Sequence, residues 1–153
     1  MQTSISRLLK YGTLLSTYGL IGSVLLQIFA RFFLANTPPW TEEVARLCFI
    51  YATAFAAALA LKQQYYVHLD ALFNRLPAKL QKWLLVAIPA GSLLLFATLG
   101  LFAVLFVLRG YQELSPSMPI PMSLTFFSMI VLGIFMSYYA ALDLLKALKT
   151  RTP

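Results

Sequence analysis

Four long apolar stretches, separated by short polar segments, dominate the chain. They cover residues 11–33, 42–62, 83–108 and 122–145. Each is long enough to cross a bilayer, because the hydrocarbon core takes about 20 apolar residues of α-helix. The pattern therefore predicts an all-α integral membrane protein with four transmembrane helices, in a single domain over residues 1–153.

A shorter segment between the second and third stretches has a different pattern. Within residues 67–76, apolar side chains follow the i, i+3, i+4, i+7 spacing of one helix face, and they are Leu69, Leu72, Phe73 and Leu76. The polar side chains His68, Asp70, Asn74 and Arg75 lie on the other side. This segment is predicted to be a short amphipathic helix in the membrane interface.

Lysine and arginine are unequally distributed beside the spans. One side of the membrane receives Arg7, Lys10, Lys62, Arg75, Lys79, Lys82, Lys146, Lys149 and Arg151. The other side receives Arg31, Arg46 and Arg109. Because positive residues concentrate in cytoplasmic segments, both termini are predicted to be cytoplasmic and residues 40–46 to face outward.

Composition supports the same class of protein. Hydrophobic residues make up 60% of the chain and charged residues 11%, whereas soluble domains carry about a quarter of their residues as charged. The net charge is +7, and the basic residues lie between the apolar runs. This placement indicates a role in membrane topology and contact with anionic lipid head groups. Nucleic acid is not an expected partner.

Alanines mark the second stretch in two stripes. Ala52, Ala56 and Ala60 form one stripe, and Ala54 and Ala58 form the next. Small residues four positions apart let helices approach closely in lipid, so the stripes predict close helix contacts. The alternative is that alanine is simply common in such helices.

Polar residues cluster at both ends of this second stretch. Arg31, Trp40, Glu42, Glu43 and Arg46 surround its beginning, and Lys62, His68 and Asp70 follow its end. Glu42 and Arg46 have the acid-first i, i+4 spacing that favours an ion pair. Two interpretations stay open: a solvated helix start, or a polar clamp or contact surface for an external partner.

Catalytic chemistry is not expected from these residues. The chain has one cysteine and one histidine, which excludes a thiol pair and a haem held by two of its own histidines. We expect no catalytic, cofactor or metal site, although His68 as a ligand shared with another subunit remains an alternative to a hydrogen-bonding interfacial histidine. No acidic residue lies in the middle of a span, which disfavours a self-sufficient ion or proton carrier and favours an accessory subunit.

The order of these features resembles the small membrane (Q, DctQ-like) subunit of tripartite ATP-independent periplasmic (TRAP) transporters. The resemblance rests on four spans with both ends inside, a Trp-x-Glu-Glu-x-x-Arg motif at residues 40–46, an alanine-rich helix and a His-x-Asp motif at residues 68–70. Its matched positions are Arg31, Trp40, Glu42, Glu43, Arg46, His68 and Asp70. One position departs from the family pattern, because Ala56 stands where the family often has glycine.

The resemblance implies a bacterial inner-membrane protein that works with two others. A periplasmic substrate-binding (P) protein captures an organic acid, such as a carboxylate, a dicarboxylate or a sialic acid, and a large membrane (M) subunit moves it inward on a sodium gradient. The small subunit enlarges the static scaffold of the large one and helps to dock the binding protein. Substrate and sodium sites would belong to the large subunit, so none is assigned to this chain.

Other classes fit the sequence less well. A small four-helix exporter would need a glutamate inside the first span, and this chain has none there. A membrane anchor of a quinone or haem redox enzyme is disfavoured by the lone His68. A structural four-span protein without a transport role differs from the accessory subunit only in its partner.

Overall fold

A computed structural model describes residues 2–33, 38–62 and 77–149. Within these ranges the chain forms helices α1 (Gln2–Phe33), α2 (Trp40–Lys62), α3 (Ala78–Gly110) and α4 (Ser123–Lys149). Each contains a segment long and apolar enough to cross a membrane. The predicted all-α fold with four candidate spans is confirmed. The predicted amphipathic helix at residues 67–76 lies outside the described residues.

The four helices pack in an order that differs from their order along the chain. The principal contacts join α1 to α2, α2 to α4, and α4 to α3. Among the described helices, α2 and α4 therefore occupy the middle, and α1 and α3 lie at the two edges. Burial follows this order, since 28% of the apolar segment of α4 is buried but only 6% of those of α1 and α3.

The buried core lies where the middle helices meet α1. Leu9 of α1, Ala58 of α2, and Met136 and Tyr139 of α4 form one buried cluster, and Phe96 of α3 packs against it. Alanine at position 58 brings the α2 backbone close enough for the larger side chains of its neighbours to meet. The core thus involves all four helices but is centred on α2 and α4.

A pair of glycines marks the crossing of α3 and α4. A Cβ atom added at Gly133 would lie 2.7 Å from Gly100 Cα and 3.2 Å from the Phe96 carbonyl oxygen. Distances this short mean that the two helix backbones touch directly. Lipid tails are as apolar as the side chains, so moving a side chain from lipid into a helix contact yields no hydrophobic free energy. Close backbone packing of this kind is therefore a main source of helix association in a membrane.

Candidate partner-binding surfaces

Most of the predicted polar positions lie at one end of the helix bundle, which we call the Trp40 end. Here α1 and α3 finish and α2 and α4 begin. Arg31, Trp40 and Glu42 are exposed at this end. Their side chains are therefore placed where a partner could reach them.

The ion pair at the start of α2 differs from the expected one. Arg46 pairs with Glu43, three residues before it, with 3.9 Å between Nη1 and Oε1; the spacing alone had favoured Glu42. The Arg46 side chain is 57% exposed and that of Glu43 only 14%. A pair this long with an exposed guanidinium contributes well under about 1 kcal/mol. The two neighbouring glutamates consequently have different environments, with Glu42 exposed and Glu43 largely covered.

Two hydroxyl groups anchor α2 at its beginning and along its length. Thr41 is buried, and its hydroxyl donates a hydrogen bond of 2.8 Å to the Pro38 carbonyl. Farther along, the Tyr51 hydroxyl donates to the Leu124 carbonyl at 2.7 Å, which joins α2 to the first turn of α4. The Thr41 bond thus fixes the chain entering α2, and the Tyr51 bond ties the middle of α2 to α4.

The segment between α3 and α4, residues 111–122, is folded back on itself. The amide of Ser115 donates to the Ile120 carbonyl, and the amide of Met122 donates to the Glu113 carbonyl, both at 2.8 Å. Leu114 and Pro121 form an isolated antiparallel bridge. We call this segment the hairpin loop.

A small cavity separates the hairpin loop from α2. Its volume is about 30 Å³, and Glu43, Ser115 and Thr125 are among the residues that line it. The Ser115 hydroxyl oxygen is buried and has no hydrogen-bond partner in the described protein. Pro116, Pro119 and Pro121 are the turn-favouring signal for a folded loop here, but no motif in the sequence singles out Ser115.

A second surface feature is an open groove between α1 and α2. Its volume is about 470 Å³, and it is lined by Thr13, Thr17, Leu20, Phe49, Ala52, Thr53, Ala56, Ala57 and Ala60. The hydroxyls of Thr13, Thr17 and Thr53 donate to carbonyls of their own helices. The groove therefore exposes an apolar surface of small residues whose polar groups are already satisfied.

The two alanine stripes of α2 have separate surroundings. Ala54 and Ala58 are buried within the bundle, so close packing of this stripe is confirmed. Ala52, Ala56 and Ala60 instead line the groove between α1 and α2. Among the described residues, the stripe of Ala52, Ala56 and Ala60 therefore borders an open groove.

The other end of α2 is described only as far as Lys62, which is exposed. His68 and Asp70 lie outside the described residues. Within the described ranges, no group of three or more histidine, cysteine, aspartate or glutamate residues is arranged to hold a metal ion.

Comparison with known proteins identifies a family and several relatives of this chain. The family model for the DctQ component of the tripartite ATP-independent periplasmic transporters matches residues 20–150. The sialic acid TRAP transporter small permease protein SiaQ of Vibrio cholerae is 30% identical over 112 residues, which cover 73% of this chain and 57% of that protein. The C4-dicarboxylate TRAP transporter small permease protein DctQ of Rhodobacter capsulatus is 34% identical over 92 residues, covering 57% of this chain and 39% of that protein.

A longer relative contains only a short matching region. The isethionate TRAP transporter permease protein DctMQ of Oleidesulfovibrio alaskensis is 30% identical over 87 residues, which are 54% of this chain but 13% of that protein. Across these relatives, this chain therefore spans between about an eighth and somewhat over half of the relative's own length.

Proposed function

Because this chain belongs to the DctQ component family of the tripartite ATP-independent periplasmic transporters, we propose that it is the accessory subunit of a sodium-coupled uptake system for an organic acid. It is a small permease subunit with four apolar helices. In the proposed arrangement it lies in the inner membrane with both termini cytoplasmic and pairs with a large permease subunit. The observation that carries this proposal is the family match over residues 20–150.

Pairing with a large permease is supported by the exposed surfaces of this chain and by its relatives. The region similar to DctMQ is a small part of one much longer permease polypeptide, so in that protein a similar unit is covalently attached to a larger permease. In the present chain the edge helix α1, which borders the groove with α2, is only 6% buried in its apolar segment. We propose that helices of the large subunit pack against this exposed surface. The small subunit would then help to hold the scaffold of the large subunit still while the substrate-carrying part moves.

For the substrate we propose only a chemical class, an organic anion. The relatives are named for sialic acid, a C4-dicarboxylate and isethionate, which are all organic anions. The apolar segments of this chain carry no acidic residue in their middle. The large subunit and the binding protein are therefore the proposed places for substrate and sodium recognition.

Co-purification tests the accessory role directly. The tagged chain, extracted from its native membrane in mild detergent, is expected to bring along one large hydrophobic protein in equal amount. Mass spectrometry of the purified material identifies it. A chain that is recovered alone and monodisperse would contradict the proposed function.

The groove between α1 and α2 is the surface that we propose for the closest contact with the large subunit. Its floor of Ala52, Ala56 and Ala60 permits the close backbone approach by which helices associate in lipid. The Ala56→Leu variant fills the groove, and added bulk in a packed contact costs about 1–3 kcal/mol. We therefore expect the amount of co-purified large subunit to fall by about tenfold or more.

Two variants serve as matched controls for this experiment. Ala56→Ser keeps the side chain small and is expected to retain the large subunit. Ala97→Leu adds the same bulk to an exposed position of the edge helix α3 and is expected to have little effect. If Ala97→Leu releases the large subunit and Ala56→Leu does not, the contact lies on α3 and the groove assignment is wrong.

The Trp40 end is the proposed docking surface for the periplasmic binding protein. With this end outward, exposed Glu42 and Trp40 lie at the same end of the bundle as the hairpin loop. We expect Glu42→Lys to weaken capture of the binding protein by the assembled complex and Glu42→Gln to have an intermediate effect. The reason is that charged groups at the edge of an interface mainly affect the association rate and its salt dependence. Surface plasmon resonance at two salt concentrations measures this, and retention of the large subunit shows that the variants are folded. Equal capture by all three proteins would exclude Glu42 from the contact.

A further inference from the structure

One side of α1 carries a stripe of large side chains that the rest of the described chain leaves mostly uncovered. Its members are spaced alternately by three and four residues, and they are Leu15, Tyr18, Gly22, Leu25, Phe29 and Phe32. Gly22 is exposed, and the five large side chains are between 60% and 80% exposed. This alternating spacing is the one that faces a second helix crossing at about 20° in a left-handed pair. We call the stripe the α1 seam.

The α1 seam is separate from the groove between α1 and α2. On the α1 side the groove is lined by Thr13, Thr17 and Leu20. Successive residues of a helix differ by about 100° in direction, so Leu15 points about 200° away from Thr13. A helix packed on the seam therefore occupies a different position from one that fills the groove.

Tyr18 places a hydroxyl group of the α1 seam well inside the apolar segment Ser4–Phe33. At 1.5 Å per residue, it lies about 12 Å along the axis from Lys10 and about 20 Å from Arg31. A tyrosine side chain extends little more than one helical turn, so the hydroxyl stays among apolar groups. Within the described part of the chain this hydroxyl has no hydrogen-bond partner. Because hydrocarbon tails offer no acceptor, the seam needs one from another protein.

The other edge helix, α3, has an exposed surface of a different kind. Leu94 and Leu101 are 70% and 72% exposed, comparable to the side chains of the α1 seam. The exposed hydroxyl in the middle of α3 belongs to Thr98, and it donates to the carbonyls of Leu94 and Leu95 in its own helix, at 2.9 and 2.8 Å. Lipid tails can cover this surface without leaving that hydroxyl unsatisfied, whereas the same tails would leave the Tyr18 hydroxyl without an acceptor.

Gly22 makes a notch between the larger members of the α1 seam. Nothing lies within 4 Å of a Cβ atom added there, so packing within this chain does not require a glycine. A second copy of this chain would have the same orientation in the membrane and would place Tyr18 against Tyr18. Two facing hydroxyls share one hydrogen bond and leave one donor unpaired, and large side chains would meet large ones elsewhere along the seam. A different helix, with small residues and an acceptor, fits better.

We propose that the α1 seam binds one transmembrane helix of the large permease subunit, in a left-handed crossing that is closest at Gly22 and in which Tyr18 donates a hydrogen bond to the partner helix. The facing side of that helix carries small residues opposite the large side chains of the seam, and a carbonyl, amide or hydroxyl acceptor opposite Tyr18. This inference rests on the proposed pairing with the large subunit. It adds the face of α1 that is used and the chemistry of the helix that meets it.

Gly22→Leu tests the close crossing, and Gly91→Leu on α3 is its matched control. At both positions nothing lies within 4 Å of an added Cβ, so both chains are expected to fold and to be recovered in equal yield. Gly22→Leu is expected to lower the amount of co-purified large subunit by about tenfold, because the added side chain enters a packed contact. Gly91→Leu is expected to retain it. Equal retention by both variants would overturn the seam assignment.

The same experiment separates this inference from the proposed function. A wild-type chain that recovers no large subunit refutes the pairing itself, and the seam assignment with it. A wild-type chain that recovers the large subunit, together with a Gly22→Leu variant that recovers as much, refutes the seam alone.

Tyr18→Phe tests the hydrogen bond, because it removes the hydroxyl and keeps the ring. One interhelical hydrogen bond in a membrane is weak, so recovery of the large subunit is expected to fall by about threefold. Tyr11→Phe is the matched control, since Tyr11 is next to Lys10 near the end of the apolar segment, where water can reach a hydroxyl. If the two variants recover equal amounts, the Tyr18 hydroxyl is not bonded to the partner.

Photo-cross-linking in the native membrane identifies what covers the seam. With p-benzoylphenylalanine in place of Leu15, irradiation is expected to join this chain to a peptide from one helix of the large subunit, which mass spectrometry locates. The same probe in place of Leu94 is expected to give adducts with lipid. An adduct of the Leu15 probe with a second copy of this chain, or with lipid alone, would overturn the proposal.

Discussion

Gly133→Ala is expected to be less stable than Gly100→Ala by about 2–3 kcal/mol, although both replacements fall on the same helix crossing. A Cβ at Gly133 would meet Gly100 Cα at 2.7 Å and Gly100 N at 3.0 Å. A Cβ at Gly100 would find its nearest neighbour, Gly133 Cα, at 3.6 Å, which is ordinary contact. The atoms that Gly133→Ala would displace belong to the backbone, so the helices must separate.

The comparison between the two glycines removes the main confounding effect. Alanine is favoured over glycine inside a helix by about 1 kcal/mol, and this gain applies equally to both positions. Gly91→Ala, where nothing lies within 4 Å, measures that gain alone. The free energy of unfolding of each variant, measured by steric trapping in bicelles, gives the difference. If Gly133→Ala and Gly100→Ala are equally stable, α3 and α4 do not cross at this pair.

Gly19→Cys is expected to form a disulfide with the native Cys48 almost completely. A Cβ built at Gly19 lies 3.9 Å from Cys48 Cβ, within the range of about 3.5–4.5 Å found in disulfides. The same Cβ would lie 2.9 Å from Cys48 Sγ, so this side chain must rotate slightly, which a flexible thiol does easily. The bond would covalently join α1 to α2.

Gly22→Cys provides the matched control for this cross-link. It lies one helical turn farther along α1, and nothing is within 4 Å of its added Cβ. Labelling with a maleimide polymer under denaturing conditions counts the free thiols: none after oxidation of Gly19→Cys, and two in Gly22→Cys. Two free thiols in Gly19→Cys would mean that α1 and α2 pack in another register. The same disulfide, introduced together with Ala56→Leu, also shows whether filling the groove leaves the α1–α2 pair intact.

Some features of the fold follow from the order of residues along the chain. The apolar stretches predicted four spanning helices, because helix formation in lipid depends on local length and hydrophobicity. The polar positions Trp40 and Glu42 were expected beside the beginning of the second span, and α2 begins at Trp40. The family resemblance, carried by the spacing of residues 40–46 and 68–70, agrees with the match to the DctQ component over residues 20–150.

The ion pair at the start of α2 could not be predicted from the spacing of charged residues alone. Spacing favoured Glu42 as the partner of Arg46, but the pair forms with Glu43, which also lines the cavity beneath the hairpin loop. Neighbouring residues on a helix differ by about 100° in direction. Which of them is covered depends on the segment that packs over the helix, and residues 111–122 are distant in sequence.

Length, hydrophobicity and charge along the chain are sufficient to predict a four-span membrane protein, and the motifs at residues 40–46 and 68–70 carry the resemblance to its family. Only the tertiary structure shows that α2 packs on α4, that Gly100 and Gly133 meet, and that Ala54 and Ala58 are buried while Ala52, Ala56 and Ala60 border an open groove. The physical reason is that both alanine stripes satisfy the same local rule for close packing. Which stripe becomes buried depends on how the other helices pack against α2, and that cannot be read from the sequence of α2 alone.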